Sequence, residues 1–469
     1  MADLTISLII AFLAVSIIIT FLIKRFIPGS STFFVGSMIK TTRFLPLLDR
    51  FAKHSKFLNF LSEIGLVLGF GLFAVDYFYS SRLKKIYRLL FLAVSAILLY
   101  FFFQTVLSPF VAGSPLTKNF AQFFAIAFAV FGFAGFAIAM LTLNVFDILF
   151  KLSAGKNPCP GVAPVIPGLE IPNVPIVIPL HAWISLVMIL IIHEGFHGIL
   201  ARKEKIGIKS SGVLLLGFLP IGAFVEPDEK QLFASARESQ LRVFSAGASA
   251  NLFSIIPFFL IAILFSLLIV VPFVSPWAIE IHKESVSGVR VEKVLEKFEI
   301  CGDEFASDAF GKLQVGQVLK EANGSPVLLA SDLQKVLNQN PKQLDLVIDS
   351  NGAISNVSLT ANEIDGFGFQ VKEIQAKEFP LNYKIIVGAV SFFNDFISWL
   401  ILLSLLIALV NFLPMEPFDG GKIAKLIFLP YLNFWKASEE IKVKAIHQFF
   451  LIIILSLFIL NALPLFIVN

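Results

Sequence analysis

Long uninterrupted apolar runs dominate the hydrophobic pattern of the chain. Seven runs contain no Asp, Glu, Lys or Arg: Leu4–Ile23, Leu89–Thr117, Asn119–Phe146, Ile171–Ile192, Val243–Ile279, Phe396–Met415 and Gln448–Asn469. An eighth, Phe57–Val75, is weaker because Glu63 interrupts it. Along the chain it is the second run, which makes Ile171–Ile192 the fifth. A bilayer core about 30 Å thick requires about 20 residues of helix. The pattern therefore predicts an α-helical polytopic membrane protein with about eight transmembrane helices.

One further apolar stretch, Ser211–Val225, is too short to cross a bilayer as a helix and contains Gly217, Pro220 and Gly222. Backbone that is not helical is tolerated at membrane depth where protein or water satisfies its polar groups. The stretch therefore predicts a re-entrant or membrane-dipping loop.

The composition agrees with a membrane protein. The 469 residues are 57% hydrophobic and 15% charged, with a mean hydropathy of +0.84. A soluble domain has nearer a quarter charged residues. The net charge of +4 resides largely in loops between the runs, so no nucleic-acid partner is expected.

Basic residues predict the orientation. Lys24, Arg25, Lys40, Arg43, Arg50, Lys53 and Lys56 lie between the first two runs, and Arg202, Lys203, Lys205 and Lys209 follow the fifth. By the positive-inside rule both loops face the cytoplasm of a multi-pass cell-membrane protein. Four other basic residues disagree, because counting spans alternately puts them outside: Arg82, Lys84, Lys85 and Arg88. The second and third spans are the part of the topology that this conflict leaves open.

Between about Glu280 and Lys377 the chain becomes more charged, with shorter apolar alternations. Strands are predicted at Gly288–Val294, Gln317–Glu321 and Leu344–Ile348, with a short helix, Leu333–Leu337, capped by Ser331 or Asp332. Asn351-Gly352 predicts a hairpin with a type I′ turn.

The segment from Glu280 to Lys377 resembles a PDZ domain, most closely over Leu313–Val327, although Gln317 stands where members usually have Asp. The resemblance implies a groove for an extended peptide; the alternative is a small α+β domain that acts as a steric filter. The span count predicts that this domain is extracytoplasmic.

The sequence His193-Glu194-Gly195-Phe196-His197 directly follows the fifth run, Ile171–Ile192. On a helix, four residues advance about one turn, so the two imidazoles point the same way and can share one Zn²⁺. Glu194 lies beside them and can accept a proton from metal-bound water. Ionisable residues at membrane depth are costly and usually functional. In the alternative interpretation, the two histidines bind no metal and only form hydrogen bonds between helices.

A third ligand is expected from a later run. Asp419, in Asn411-Phe412-Leu413-Pro414-Met415-Glu416-Pro417-Phe418-Asp419-Gly420-Gly421, is a candidate carboxylate, and Glu416 in the same turn is its rival. Spacing alone does not choose between them. Gly420 and Gly421 permit close backbone approach.

These motifs together resemble the site-2 protease family of intramembrane zinc metalloproteases, in particular archaeal members with a PDZ-like domain. The family's second motif has proline where Glu416 stands and leucine where Phe418 stands; Asn411, Pro414, Asp419 and Gly420 match. The resemblance implies that Asp419 is the third ligand. Ala246-Gly247-Ala248-Ser249-Ala250-Asn251 is similar to the family's Gly-x-x-x-Asn element.

By this resemblance Asn251 and Asn411 would donate hydrogen bonds to substrate or oxyanion, with plain helix packing as the alternative for Asn251. The segment from Ser211 to Glu229 would form a membrane-associated hairpin that holds an unwound substrate.

The implied organisation has four parts. Residues 1–150 form N-terminal transmembrane helices of unknown role, 171–279 and 384–469 form the two halves of the metalloprotease core, and 280–377 form the PDZ-like domain. The implied function is peptide-bond hydrolysis, with one Zn²⁺ per chain, in or near the spans of single-span membrane proteins. Two other functions are open: a catalytically silent membrane scaffold that binds peptides, and, less favoured, a transporter.

Two cysteines, Cys159 and Cys301, are too few for a disulfide framework. Both would face outward in the predicted topology. We therefore consider one disulfide, which would tether the soluble domain to the preceding loop.

Overall fold

The structure is a computed structural model and describes residues 2–27, 29–111, 120–171, 173–217, 219–364 and 366–467. Its helices are α1 (Ala2–Phe26), α2 (Leu45–Phe51), α3 (Ser55–Val75), α4 (Lys85–Phe102), α5 (Ser108–Val111), α6 (Ala121–Ser153), α7 (Ala182–Lys203), α8 (Glu229–Ala234), α9 (Arg237–Phe265), α10 (Ser275–Ser285), α11 (Ala330–Leu337), α12 (Leu381–Phe412), α13 (Asp419–Phe428) and α14 (Glu439–Ala462). Short π-helical segments continue three of them: Asp76–Ser80 after α3, Phe103–Leu107 after α4, and Ser266–Val274 between α9 and α10.

The strands fall in two regions. Near the start of the chain and after α7 lie β1 (Ser31–Phe33), β2 (Gly36–Thr41), β3 (Ile208–Leu216) and β4 (Leu219–Pro227). Between α10 and α12 lie β5 (Val286–Val294), β6 (Lys297–Ile300), β7 (Asp303–Ala306), β8 (Val318–Ala322), β9 (Ser325–Pro326), β10 (Gln343–Ser350), β11 (Ala353–Thr360) and β12 (Phe369–Gln375).

Seven helical segments of the described residues are long and apolar enough to cross a membrane. They are Lys56–Ser80, Lys85–Leu107, Ala121–Ser153, Ala182–Lys203, Arg237–Ser285, Leu381–Phe412 and Glu439–Leu465. The predicted run Leu4–Ile23 is helical within α1, but the first side chains of α1 lie outside the described part and this helix is not among the seven. Parts of four other predicted runs also lie outside it: residues 112–117 of Leu89–Thr117, residue 119 of Asn119–Phe146, residue 172 of Ile171–Ile192, and residues 468–469 of Gln448–Asn469. The membrane-protein class is supported, whereas the count of eight is not confirmed.

The α3 segment folds back on itself. Gly71 has a left-handed φ of 55° with ψ of −135°, which breaks the helix. The Tyr79 hydroxyl donates to Glu63 Oε2 at 3.1 Å across 16 residues, although a straight helix would separate them by about 24 Å. The basic residues that contradicted the alternating span count, 82–88, therefore lie at the same end of the bundle as the start of α3. The alternating count that placed these residues outside had treated this segment as a full crossing.

The α6 segment breaks in the same way at Gly132, where φ is 57°. The rings of Phe124 and Phe136 have centroids 5.5 Å apart, against about 18 Å along a straight helix. The two breaks meet: a Cβ on Gly71 would lie 2.6 Å from Ala129 O, and one on Gly132 would lie 2.5 Å from the Phe70 backbone nitrogen. Glycine at both positions allows the two bent helices to cross in contact.

The bent α3 also packs on the helices of the later core. A Cβ on Gly65 would lie 2.5 Å from Ser249 Cβ of α9, and Gly69 lies directly against the Phe412 ring at the end of α12. Glu63, which interrupts the second apolar run, accepts from Arg242 Nη2 of α9 at 2.8 Å. The N-terminal helices, whose role the sequence left open, thus support α9 and α12 from one side.

The stretch Ser211–Val225 forms an antiparallel hairpin. Its strands β3 and β4 belong to a four-stranded sheet in the order β1-β2-β3-β4. Residues Gly36–Thr41, before the second helix, pair with Leu216–Ser211. Within the described residues, β4 has a strand partner on one side, so its other side is a free edge.

The segment between α10 and α12 is a separate α+β domain. Its main sheet has the order β11-β10-β8-β5-β12, with β9 beside β8, and α11 covers one part of it. Leu319, Leu344 and Leu346 are buried in its own core. The predicted strands and the turn are confirmed, since Asn351 and Gly352 both have positive φ. The helix starts earlier than predicted, at Ala330, so Ser331 is not its cap.

A disulfide joins this domain to the loop after α6. Cys159 and Cys301 are bonded, which confirms the pairing considered from the sequence. Lys151 Nζ lies 2.9 Å from one oxygen of Asp303, and Lys156 Nζ lies 3.1 Å from the other. The hydrogen bond from Lys151 is the main reason that the pKa of Asp303 lies below its ordinary value. The β6–β7 turn is thereby held against the bundle.

A second junction lies where the domain meets α10 and α12. The His282 ring of α10 lies 2.7 Å from Glu373 Oε2 of β12 and 2.7 Å from the Tyr383 hydroxyl of α12. Glu373 Oε1 also accepts from the Ala330 backbone N–H at the start of α11. One carboxylate thus links the domain's edge strand and helix to the two core helices that flank it.

Candidate metal centre

The helix α7 carries the two histidines. It begins at Ala182 and continues to Lys203, whereas the sequence predicted a span from Ile171 to Ile192. The described residues 173–181 are not helical because they contain Pro175 and Pro179, and proline removes the backbone donor and clashes within a helix. His193 and His197 therefore lie inside the helix, one turn apart, rather than at its end.

The carboxylate comes from the turn between α12 and α13. Asp419 is the first residue of α13 and is 9% exposed. A Cβ on Gly420 would lie 2.5 Å from the Phe412 carbonyl carbon, and one on Gly421 would lie 2.6 Å from that of Met415. The two glycines let α13 start directly against the end of α12, which aims Asp419 back toward α7.

The three side chains converge. Asp419 Oδ2 lies 3.2 Å from His193 Nε2 and 3.0 Å from His197 Nε2, and the two Nε2 atoms are 3.3 Å apart. Zinc bonds of about 2.0–2.1 Å in a tetrahedron imply ligand atoms about 3.3 Å apart. Two imidazole nitrogens and a carboxylate oxygen are also a donor set that zinc accepts in hydrolases. The residues present therefore fit a single zinc ion.

Gly247 of α9 leaves the space that this cluster needs. A Cβ at this position would lie 2.5 Å from His197 Nε2 and closer still to His193 Nε2. α9 therefore passes directly behind the ligand atoms without a side chain in the way. The contact of Gly247 with both histidines was not evident from spacing in the sequence.

Glu416, the rival ligand, points elsewhere. Its Oε1 accepts from Lys425 Nζ at 2.8 Å, and its Oε2 lies 3.7 Å from His447 Nδ1. The cluster that could hold a metal consists of His193, His197 and Asp419. The geometry therefore favours Asp419 over Glu416, in agreement with the family resemblance.

The expected base, Glu194, lies beside the cluster and next to β4. Its Oε2 accepts from the Val225 backbone N–H at 3.1 Å. Val225 faces Ser211 of β3 in the hairpin, yet its N–H points away from β3 toward α7. One N–H of the free β4 edge therefore orients the carboxylate, a contact that the sequence did not predict.

The two asparagines occupy different settings. Asn411 lines the cavity at the site, and its amide donates to the Ile407 carbonyl one turn earlier. Asn251 is fully buried, and its side-chain amide lies 3.1 Å from His193 Nδ1. Asn251 is not among the residues that line the cavity.

A cavity of about 590 Å³ opens onto the cluster. His193, Glu194, His197 and Asp419 line it, together with apolar residues of β3, β4, α8 and α9, among them Leu214, Phe224, Phe233 and Phe244. Charged groups stand around it: Lys40, Glu226, Glu229 and Lys422. The cavity thus combines an apolar wall with the metal-binding cluster.

A HExxH helix and an aspartate from a second helix, enclosed by helices of membrane length, define a metallopeptidase. The chain belongs to peptidase family M50, whose family profile matches residues 181–433, more than half of the chain. This is the site-2 protease family, and its members are zinc metalloproteases.

Among individual proteins, the uncharacterized protein MJ0971 of Methanocaldococcus jannaschii is 27% identical over 286 residues. The alignment covers 60% of this chain and 65% of that protein, so the chain spans just under two thirds of its relative's length. No solved structure matches the chain.

Proposed function

We propose that the protein is an intramembrane zinc metalloprotease that hydrolyses peptide bonds within or near the transmembrane segments of other membrane proteins. The observation that carries this proposal is the convergence of His193, His197 and Asp419 at tetrahedral spacing, with Glu194 beside them, among apolar helices. A structural metal site would not require a carboxylate base next to an open cavity.

His193, His197 and Asp419 would hold the zinc. Bound zinc would polarise the scissile carbonyl and lower the pKa of a water at the open position. Glu194 would accept the proton of the attacking water and deliver it to the leaving amine. The hydrogen bond from the Val225 N–H fixes one carboxylate oxygen of this base. Asn411, at the cavity wall, is the candidate donor to the oxyanion.

The free edge of β4 is our candidate for holding the substrate. A helical segment shields its carbonyl groups, so it must unwind before attack. An extended segment can then pair with an exposed strand edge through main-chain hydrogen bonds. The β4 edge supports this role because it borders the cavity and reaches Glu194 at Val225. The other three strands of the sheet keep β4 in place.

We infer that the HExxH end of the bundle faces the cytoplasm and that the α+β domain faces outward. The inference rests on the positive-inside rule. The fold-back at Gly71 strengthens it, because residues 82–88 then join the basic residues that precede α3. Substrates would be single-span membrane proteins in the same bilayer, already trimmed on the outer side.

The outward domain supports a peptide-binding role of the PDZ type. A cavity of about 320 Å³ lies between α11 and β12 and is lined by Leu333, Leu337, Phe367, Phe369 and Val371. β12 pairs with β5 on one side, so its other edge faces this groove. An extended peptide could add to that edge and place apolar side chains against α11. The groove would then select substrates by their outer segment.

Leu337→Glu should lower this selectivity by about tenfold, since a carboxylate in an apolar groove costs at least about 1.4 kcal/mol of peptide binding. The measurement is the ratio of cleavage rates for a trimmed and an untrimmed single-span substrate. Leu328→Glu is the matched control, because Leu328 is 40% exposed and lies outside the groove lining. An unchanged ratio in Leu337→Glu would count against the filter role.

The function itself is tested with Glu194→Gln. The amide keeps the shape of the side chain but accepts no proton, so cleavage of a purified single-span substrate should fall about 10²–10⁴-fold while zinc content stays that of wild type. Glu229→Gln, which changes another carboxylate of the same cavity, should cleave normally. Equal turnover in Glu194→Gln and wild type would refute the hydrolytic assignment and favour a peptide-binding scaffold.

A further inference from the structure

Helix α9 contacts both metal-binding histidines on the ring nitrogen that faces away from the cluster. His197 Nδ1 lies 2.7 Å from the Val243 carbonyl oxygen. His193 Nδ1 lies 3.1 Å from the side-chain amide of Asn251. Val243 and Asn251 are eight residues apart, about two turns, so they share one face of the helix. Gly247 lies midway between them, where the rings approach most closely.

The chemistry of the cluster decides which atom of Asn251 must face His193. Each Nε2 points at the cluster, so a histidine that binds metal through Nε2 carries its proton on Nδ1. That N–H needs an acceptor. The Val243 carbonyl is such an acceptor for His197. For His193 the acceptor has to be Asn251 Oδ1, because the amide NH₂ can only donate.

The amide of Asn251 fits this requirement. As assigned, Nδ2 faces His193, and Oδ1 is buried with no hydrogen-bond partner within the described part of the chain. The oxygen and nitrogen of an amide have nearly the same shape and are assigned from their partners. Rotation by half a turn places Oδ1 against Nδ1–H. Asn251 is 0% exposed, so bulk water does not substitute for it.

We propose that Asn251 is a positioning residue whose Oδ1 accepts the Nδ1–H of His193, and that α9 thereby orients both histidines of the zinc site through Val243 and Asn251. Such outer partners fix the tautomer and direction of a metal-binding ring. This differs from the role implied by the family resemblance, in which Asn251 donates to substrate or oxyanion. The cavity supports the distinction, because Asn411 lines it and Asn251 does not.

The inference rests on the proposed zinc site, and its test is zinc affinity in purified protein, measured by competition with a chelator. Asn251→Leu has similar volume and no acceptor, so its affinity should fall about 10–100-fold. Asn251→Asp keeps an acceptor and should bind zinc at least as tightly as wild type. Ser249→Ala, buried on the same helix at the side that packs against Gly65 of α3, is the matched control and should be unchanged. Size-exclusion in detergent verifies that each variant is folded.

Wild-type affinity in Asn251→Leu would overturn the inference, as would equal losses in folded Asn251→Leu and Asn251→Asp. A donor role toward substrate predicts another pattern, in which zinc affinity is unchanged in every variant and Asn251→Asp loses cleavage. That result would also overturn the inference. Absence of zinc from the wild type would instead refute the proposed function, so the two failures are distinguishable.

Discussion

Asp419→Ala is expected to lose zinc and all measurable peptide-bond hydrolysis, whereas Glu416→Ala should keep both. Asp419 Oδ2 lies within 3.2 Å of both histidine Nε2 atoms, so its loss removes one of three ligands. Loss of an outer partner alone costs about 10–100-fold in metal affinity, and loss of a direct ligand should cost more. Zinc per chain, measured by mass spectrometry of the purified protein, is the readout.

Glu416→Ala is a demanding control because Glu416 lies three residues earlier in the same turn. Its carboxylate pairs with Lys425, so its removal should affect local stability rather than the metal. If Glu416→Ala loses zinc and Asp419→Ala retains it, the ligand assignment is wrong. Loss in both folded variants would mean that the turn, and not one carboxylate, determines binding.

Gly247→Ala should abolish zinc binding without touching any ligand. Its new methyl group would lie 2.5 Å from His197 Nε2 and closer to His193 Nε2, far inside an ordinary contact distance. The rings must then separate, and at least a hundredfold loss of zinc affinity is expected because three ligands need near-tetrahedral spacing (about 3.3 Å). The same chelator competition measures this loss, and thermal unfolding in detergent reports whether the bundle remains intact.

Gly195→Ala is the matched control for this substitution. Gly195 lies between the metal-binding histidines, yet a Cβ there would meet no atom within 4 Å. Alanine is also the better helix former, by about 1 kcal/mol. Zinc binding should therefore be unchanged in Gly195→Ala. Wild-type zinc affinity in folded Gly247→Ala would show that the cluster does not have the close packing described.

The metal centre was largely predictable because the residues that form it occur in short motifs with characteristic spacing. The four-residue interval between His193 and His197 fixes their common direction on any helix. The choice between Asp419 and Glu416 was not predictable from spacing, since it depends on how the chain reverses after α12. Gly420 and Gly421 allow α13 to start against α12, and Lys425 holds Glu416 away.

The membrane topology was less predictable. Hydropathy counts apolar length and does not detect a helix that folds back, so α3 and α6 were taken as full crossings. Gly71 and Gly132 mark the two breaks in the sequence. Their left-handed conformations, however, occur where the two helices contact each other, and this contact is not visible in the sequence. The start of α7 was misplaced for a different reason. The sequence of residues 171–181 contains three prolines, which disfavour a helix, but the prediction followed the high hydropathy of this stretch instead.

The contacts around the ligands were the least predictable part of the site. The Val225 N–H reaches Glu194, and the Val243 carbonyl reaches His197. Both are backbone groups, which carry no residue-specific signature. The pairing of Cys159 with Cys301 lay between these cases, because two cysteines expected on the same side of the membrane could be matched without knowledge of the fold.

The most direct test of the proposed zinc-dependent proteolysis is the metal content of the wild-type protein purified in detergent, together with its cleavage of a single-span substrate. We expect about one zinc per chain and cleavage that stops when a chelator removes the zinc and resumes when zinc is returned. A protein that contains no metal after zinc has been supplied, or that cleaves equally well without it, would contradict the central claim.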